Sequence, residues 1–257
     1  MSIEGSITAL VTPMNEKGDL DYNSLEKLIN FQIDSGISGL VAVGTTGESA
    51  TIDFEDHVKL IEFFIKTSNG RVHIIAGTGA NSTEEALHLT REAKNLGADA
   101  ALLVSPYYNK PPQEGIYRHH AKIADEVDIP QILYNVPSRT ASFIEPETVQ
   151  RLSSHQNIMG IKDATGDMKN LSEVLKLCEE NIKSKNFFLY SGDDFSFLEF
   201  LKKGGHGTIS VTSNVVPEII SEICLLVQSD FPKAKQLDDQ IKAVSYTHLR
   251  AHETTSY

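Results

Sequence analysis

The 257-residue sequence has no tryptophan, two cysteines and fewer basic than acidic side chains, 23 against 35. Cys178 and Cys224 lie far apart without a CxxC motif, so we expect reduced core thiols in a cytoplasmic protein rather than a disulfide scaffold. The formal charge of −12 argues against nucleic acid or an anionic membrane as a partner. No apolar stretch is long enough to span a bilayer, and Met1–Gly5 lacks the basic and apolar parts of an export signal.

Two motif classes are also missing. No GxGxxG follows the first apolar run, which argues against an open doubly wound sheet that binds a dinucleotide. The histidines show neither HxH nor HExxH spacing, so metal-dependent aldol chemistry is disfavoured and no metal site is predicted. The remaining expectation is chemistry on a small molecule by amino-acid side chains alone, without a cofactor.

Short, continuously apolar runs alternate with amphipathic stretches along the chain. Eight of these runs read as strands: Ile7–Val11, Leu40–Val43, Val72–Ala76, Ala101–Val104, Ile132–Tyr134, Ile158–Ile161, Phe187–Tyr190 and Thr208–Val211. Continuously apolar strands are typical of a parallel sheet covered by helices, and eight strand–helix units close a (β/α)₈ barrel. The fold prediction is therefore an α/β TIM barrel, with an open doubly wound sheet as the alternative.

The predicted domain organisation has three parts. Residues 1–230 form the barrel, and residues 231–244 begin a C-terminal helical region. Residues 245–257 lose apolar periodicity and hold two of the nine histidines. This tail resembles translated sequencing-adapter read-through, so we expect it to be non-native and the C-terminal helices to be truncated. A genuine disordered tail is the alternative.

Lys162 is the strongest candidate for the chemistry because it ends the buried run Ile158–Ile161. A lysine at such a position loses part of its hydration, which favours the neutral amine that attacks a carbonyl. Tyr134 ends the preceding strand and is expected to reach an imine at Lys162 and to shuttle protons. Thr45 and Thr46, between two glycines, can relay a proton or bind a carboxylate. Arg139 can pair with a second carboxylate.

Six motifs occur in order at these strand ends: GTTGES, SPYYNKP, YNVPSRT, GIKDATG, SGDD and GGHGTISVTSN. Through them the chain, from residue 1 to about 244, resembles the dihydrodipicolinate synthases of the class I pyruvate-aldolase superfamily. The resemblance implies a Schiff base between Lys162 and pyruvate, with Tyr134, Thr45 and Tyr108 as the proton relay. It also implies that Thr46 and the backbone of Ile209 hold the pyruvate carboxylate, that Gly192 lies near the site, and that Arg139 binds L-aspartate 4-semialdehyde.

The same resemblance implies an assembly and a regulator. Tyr108 is expected to enter the partner's site across a tight dimer, with a homotetramer of two dimers when the chain is full length. A site for the effector L-lysine is implied at six positions: Ser49, Ala50, His57, Asn81, Glu85 and Tyr107. Lysine-sensitive relatives often carry a histidine where this chain has Phe54, so inhibition by lysine is left open, and a solvated helix face is the alternative for His57 and Glu85.

Other enzymes of the superfamily share the lysine and the tyrosine with the synthases. N-acetylneuraminate lyases and 2-keto-3-deoxy sugar-acid aldolases differ from the synthases in the pocket for the second substrate. Arg139 and the Tyr107–Tyr108 pair favour a short acidic aldehyde over a sugar chain. The alternative outside the enzymes is a truncated barrel without activity, which at most binds a small molecule. The prediction is a lyase of lysine and diaminopimelate biosynthesis.

Overall fold

The computed structural model describes the backbone of residues 3–254 and the side chains of residues 3–242. Eight parallel strands within this part of the chain close a barrel in sequence order, which confirms the (β/α)₈ prediction. The strands are β1 (Gly5–Ala9), β2 (Gly39–Ala42), β3 (His73–Gly77), β4 (Ala100–Val104), β5 (Gln131–Asn135), β6 (Ile158–Asp163), β7 (Phe188–Ser191) and β8 (Gly207–Ser210). Ile7 pairs with Gly39 on one side and Ile209 on the other, and so closes the ring.

Helices follow the strands and cover the outside of the barrel. They are α1 (Tyr22–Asp34), α2 (Phe54–Ser68), α3 (Thr83–Leu96), α4 (Gln113–Glu126), α5 (Pro137–Thr140), α6 (Pro146–Ser153), α7 (Met168–Leu177), α8 (Glu179–Lys183), α9 (Phe197–Lys202), α10 (Pro217–Leu226) and α11 (Phe231–Thr254). Local chemistry sets several boundaries. The Ser82 side chain accepts from the Glu85 N–H at the start of α3, and Gly97 ends that helix at φ 93°.

The observed ranges of the eight strands differ from the predicted ones by up to two residues at an end. The first strand begins at Gly5 rather than Ile7, because barrel closure gives Gly5 and Ser6 strand partners in β8 despite their low apolar character. Helices α7 and α8 are separate because the backbone between them leaves helical geometry at Cys178. Apolar periodicity alone predicts neither the start of β1 nor the break between α7 and α8.

Side chains fill the barrel from within and a second layer lies under the helices. The inner core contains residues from every strand, among them Ile7, Val41, Ile75, Tyr134 and Tyr190. Alternate residues face outward, so Leu133 and Ile161 pack beneath α4, α6 and α7. Both faces of the sheet are therefore buried, which is why its strands read as continuous apolar runs.

The C-terminal helices pack on one another. Ile220 and Ile223 of α10 belong to a separate apolar cluster that also contains Phe197 of α9 and Ile241 of α11. On the outer side of α10, Leu225 is 79% exposed. Helix α11 continues to Thr254 across the predicted boundary at residue 244, but the side chains of the predicted tail lie outside the described residues. Among the helices of the described part, none has the length and apolar content needed to cross a bilayer.

His119 and His120 lie side by side on α4, with exposures of 5% and 0% and ring centroids 5.0 Å apart. Burial lowers the pKa of His119 to about 4, and it lowers the pKa of His120 well below 6.5, with the nearby His119 as a second cause. In the unfolded chain both pKa values return to about 6.5. The unfolded chain therefore takes up protons first, so this contribution to stability is complete above pH 6.5 and falls between pH 6.5 and 4.

We expect each buried histidine to lower the free energy of unfolding by about 1.4 kcal/mol per pH unit within that window. Urea unfolding at pH 7.5, 6.0 and 5.0 measures this slope. In His119→Gln the slope should be shallower than in the wild type, because one titrating group is removed. His88→Gln, at an exposed position of α3, is the matched control. Equal slopes in the two variants would contradict the assignment to His119.

Candidate active site at the carboxyl ends of the strands

Lys162 lies near the carboxyl end of β6 with an exposure of 4%. Its register partners are Tyr134 on β5 and Tyr190 on β7, both part of the inner core. Because side chains at paired positions share a face of the sheet, Lys162 points into the barrel. Its Nζ lies 4.2 Å from the centroid of the Tyr134 ring. The structure thus brings together the two residues that the sequence predicted as nucleophile and proton shuttle.

Gly192, directly after β7, lies against the lysine side chain. A Cβ added at Gly192 would be 2.7 Å from Lys162 Cε and 2.9 Å from the Ala164 Cβ. The Gly192 N–H donates to the Asp163 carbonyl at 2.7 Å, which holds the two strand ends together. The absent side chain at this position therefore leaves the space that the lysine stem occupies.

A carboxylate behind the barrel wall fixes the same strand end. Asp163 accepts from Nδ2 of Asn170 at 2.7 Å and from the Thr165 N–H at 2.9 Å, and its burial raises the pKa of the carboxyl group. These bonds fasten the start of α7 to the residue after Lys162. This aspartate belongs to the GIKDATG motif, and no role was predicted for it from the sequence, although a carboxylate directly after a buried lysine was a usable signal.

Residues 44–48, which follow β2, are called the threonine loop below. Thr45 is exposed and Thr46 is half-buried. The next residue, Gly47, is anchored because Thr12 Oγ1 donates a hydrogen bond to its carbonyl at 2.7 Å. The residue directly before the loop is Val43, whose φ of 53° lies in the left-handed region. A second anchor is the Glu48 N–H, which donates to the Thr45 carbonyl at 3.1 Å. Thr45 is consequently presented at the mouth of the barrel.

Asp194 connects the ends of β7 and β8. Its carboxylate accepts from the backbone N–H of Val211 at 2.9 Å and of Thr212 at 2.7 Å, and burial raises the pKa of the carboxyl group. Asn214 closes the ring to β1, since it accepts from the Val11 N–H and donates to the Ala9 carbonyl. No role was predicted from the sequence for either Asp194 or Asn214. Ile209, predicted to hold a carboxylate through its backbone, lies between them on β8, buried in the inner core.

A cavity of about 630 Å³ extends outward from the threonine loop. Thr45 and Arg139 line it, and Arg139 belongs to the short helix α5 directly after β5. Five of the six predicted effector residues also line it: Ser49, Ala50, His57, Glu85 and Tyr107. Asn81, the sixth, reaches the same region because its backbone interacts with the Tyr107 side chain and opposes the rise of the Tyr107 pKa. The predicted effector positions thus form one surface continuous with the threonine loop.

Two side chains that line this cavity, Tyr107 and His57, have shifted pKa values. Burial, and secondarily the nearby Glu85 carboxylate, raise the pKa of Tyr107, so its phenol keeps its proton. Burial lowers the pKa of His57, and its Nε2 lies 2.7 Å from the Gly77 carbonyl, which fixes that nitrogen as the protonated one. Phe54 occupies the rim with its ring centroid 4.5 Å from that of His88.

Tyr108 stands apart from these groups. It is 90% exposed and has φ 72°, in the left-handed region that non-glycine residues seldom adopt. The structure therefore does not bring Tyr108 to Lys162 within one chain. Among the side chains of residues 3–242, no group of three histidine, cysteine, aspartate or glutamate residues could hold a metal ion.

The fold and this site define the class of the protein: a (β/α)₈ barrel with a buried amine and a phenol at the carboxyl ends of adjacent strands. The model of the dihydrodipicolinate synthetase family matches residues 2–254, and the chain belongs to this family.

Individual relatives agree with that assignment. The chain is 52% identical to a 4-hydroxy-tetrahydrodipicolinate synthase of Alcanivorax borkumensis over 93% of its own length and 80% of that protein. The pyruvate complex of the Acinetobacter baumannii dihydrodipicolinate synthase superposes with a TM-score of 0.91 at 47% identity, over 95% of this chain and 83% of that one. A lysine-bound synthase from Cyanidioschyzon merolae gives a TM-score of 0.89 at 35% identity, over 95% and 82% of the two chains.

Replacing Asp194 by alanine should lower the free energy of unfolding by about 2–4 kcal/mol, because two backbone N–H groups lose their acceptor. Urea denaturation at pH 7.5 measures the change. Asp193→Ala is the matched control, since Asp193 is half-buried and accepts locally from Ser196. A loss in Asp194→Ala no larger than that in the control would show that the contact between β7 and β8 contributes little.

Proposed function

We propose that this chain is a 4-hydroxy-tetrahydrodipicolinate synthase, which condenses pyruvate with L-aspartate 4-semialdehyde. The Lys162 amine attacks the ketone of pyruvate and water leaves, giving an imine. The imine draws electrons from the methyl group, which loses a proton and becomes an enamine. The enamine carbon attacks the aldehyde, and the amino group of the second substrate then displaces Lys162 as the ring closes. Lysine is thereby regenerated without a metal or another cofactor.

The observation that carries this proposal is the pairing of buried Lys162 with Tyr134 across β5 and β6. Burial separates the Lys162 amine from bulk water, and the adjacent phenol supplies a group that can exchange protons with the imine. The family assignment and the pyruvate complex of the Acinetobacter baumannii relative support the same first substrate.

The remaining roles extend outward from that pair. We assign Thr46 and the Ile209 backbone to the pyruvate carboxylate, and Arg139 to the carboxylate of the aldehyde substrate, because a guanidinium pairs with it bidentately. Thr45 completes a proton relay with Tyr134 and with Tyr108 of a second subunit. The 90% exposure of Tyr108 supports this last role, since its ring projects away from its own barrel. The proposed active form is accordingly a homodimer or a homotetramer.

Borohydride reduction in the presence of pyruvate tests the chemistry directly. We expect a stable mass increase on Lys162 in the wild type and none in Lys162→Ala or Lys162→Arg. Tyr134→Phe should still be trapped, while its kcat should fall by about 10²–10³-fold because proton transfer is lost. Circular dichroism of each variant serves as the folding control. Turnover in Lys162→Arg at the wild-type rate would refute the mechanism.

We also propose that the cavity lined by Ser49, His57, Glu85 and Tyr107 binds L-lysine as an effector. A carboxylate and a phenol can receive an ammonium group there, and the lysine-bound relative from Cyanidioschyzon merolae supports an effector of this kind. Phe54 removes one polar contact from the rim of the cavity. Weak inhibition is the expected result for the wild type.

Phe54→His should strengthen inhibition by L-lysine about tenfold, the equivalent of one hydrogen bond to a charged group. Initial rates over a lysine titration give the inhibition constant. Phe54→Leu, which restores no polar atom, is the matched control and should remain weakly inhibited. Equal constants for the two variants would exclude a role for this position in effector binding.

A further inference from the structure

The backbone that leads into the threonine loop is strained at one buried residue. Val43 has φ 53°, a conformation that costs most for β-branched side chains, and its exposure is 0%. Its side chain packs with Leu10 and Ile61 in the apolar layer beneath α1 and α2. Such a conformation persists where neighbouring structure holds it in place.

Gly77, the last residue of β3, supplies that restraint. A Cβ added to it would lie 2.3 Å from the Val43 carbonyl oxygen and 2.9 Å from Gly44 Cα. The two backbones therefore meet at a distance that glycine alone permits. The Gly77 carbonyl is itself held, because Nε2 of buried His57 lies 2.7 Å from it.

We propose that Val43 and Gly77 are positioning residues for the condensation: contact with Gly77 keeps the Val43 peptide in its left-handed conformation, and this aims Thr45 and Thr46 at the substrate. The inference rests on the proposed function, in which these threonines relay a proton and bind the pyruvate carboxylate. Val43 is separated from Thr45 by Gly44 alone, so a rotation at Val43 redirects both threonines. Lys162 and Tyr134 belong to β6 and β5 and keep their places when this loop moves.

Gly77→Ala tests the contact. The new methyl group should push the Val43 carbonyl aside, lowering kcat per active site by about 10²-fold and raising the KM for pyruvate, since proton transfer and carboxylate binding both suffer. Active sites are counted by borohydride trapping at saturating pyruvate, which should still label Lys162. Loss of folded protein alone lowers the number of sites and leaves kcat per site and KM unchanged.

Gly207→Ala is the matched control. A Cβ at Gly207 would lie 2.5 Å from the Gly5 carbonyl oxygen, so a comparable backbone clash arises at the amino end of the barrel. We expect this variant to lose stability while its kcat per active site stays near the wild-type value. An equal loss of kcat per site in both glycine variants, or a wild-type kcat in Gly77→Ala, would overturn the inference.

A second pair of variants remains informative if Gly77→Ala does not fold. Val43→Gly and Val43→Ala both remove the γ-methyl packing, but only glycine adopts φ 53° without a steric cost. We expect kcat per site to be about fivefold higher in Val43→Gly than in Val43→Ala, because a left-handed conformation costs alanine about 1 kcal/mol. Equal values would show that packing of the side chain, and not the backbone angle, is what matters. Failure of the wild type to form the reducible imine would instead refute the proposed function.

Discussion

The hydrogen-bond register between β5 and β6 is the constraint on which the site depends. It sets Tyr134 beside Lys162, with both side chains directed into the barrel. A register shift by one residue would turn the lysine toward α7 and replace it with Asp163 or Ile161. The outward neighbours resist such a shift, because Asp163 is tied to Asn170 and Ile161 is packed beneath the helices. The pairing of β5 with β6 therefore determines both the packing under the helices and the position of Lys162 beside Tyr134 inside the barrel.

Around that pair, buried polar groups hold the loops in place without facing a substrate. Asp194 binds the loop after β8 to the loop after β7, and Asn214 extends the connection to β1. Each bond satisfies backbone N–H or C=O groups that would otherwise be buried without partners. The loops at the mouth are therefore preorganised, which lowers the cost of ordering them when substrate binds.

The threonine loop is held in place in a different way from the loops that Asp194 and Asn214 connect. Its direction comes from a strained peptide at Val43 that Gly77 and His57 confine, rather than from a carboxylate clamp. His57 also lines the outer cavity, so one histidine touches both the cavity and the backbone behind the loop. The lining of the cavity and the Gly77 carbonyl are therefore in direct contact through His57.

The sequence by itself determined a parallel sheet covered by helices and favoured the barrel, since eight apolar runs separated by amphipathic stretches match the eight strand–helix units that close one. It also singled out Lys162, Tyr134 and the threonines as candidate site residues, because each stands at the end of such a run or shortly after it. It did not reveal Asp194, Asn214 or Gly77, whose partners are distant in the chain or are backbone atoms with no residue signature. Tertiary structure decided these, and it decided that Tyr108 lies apart from its own Lys162. Periodicity records which face a residue occupies, whereas the approach of one backbone to another depends on how the closed ring packs.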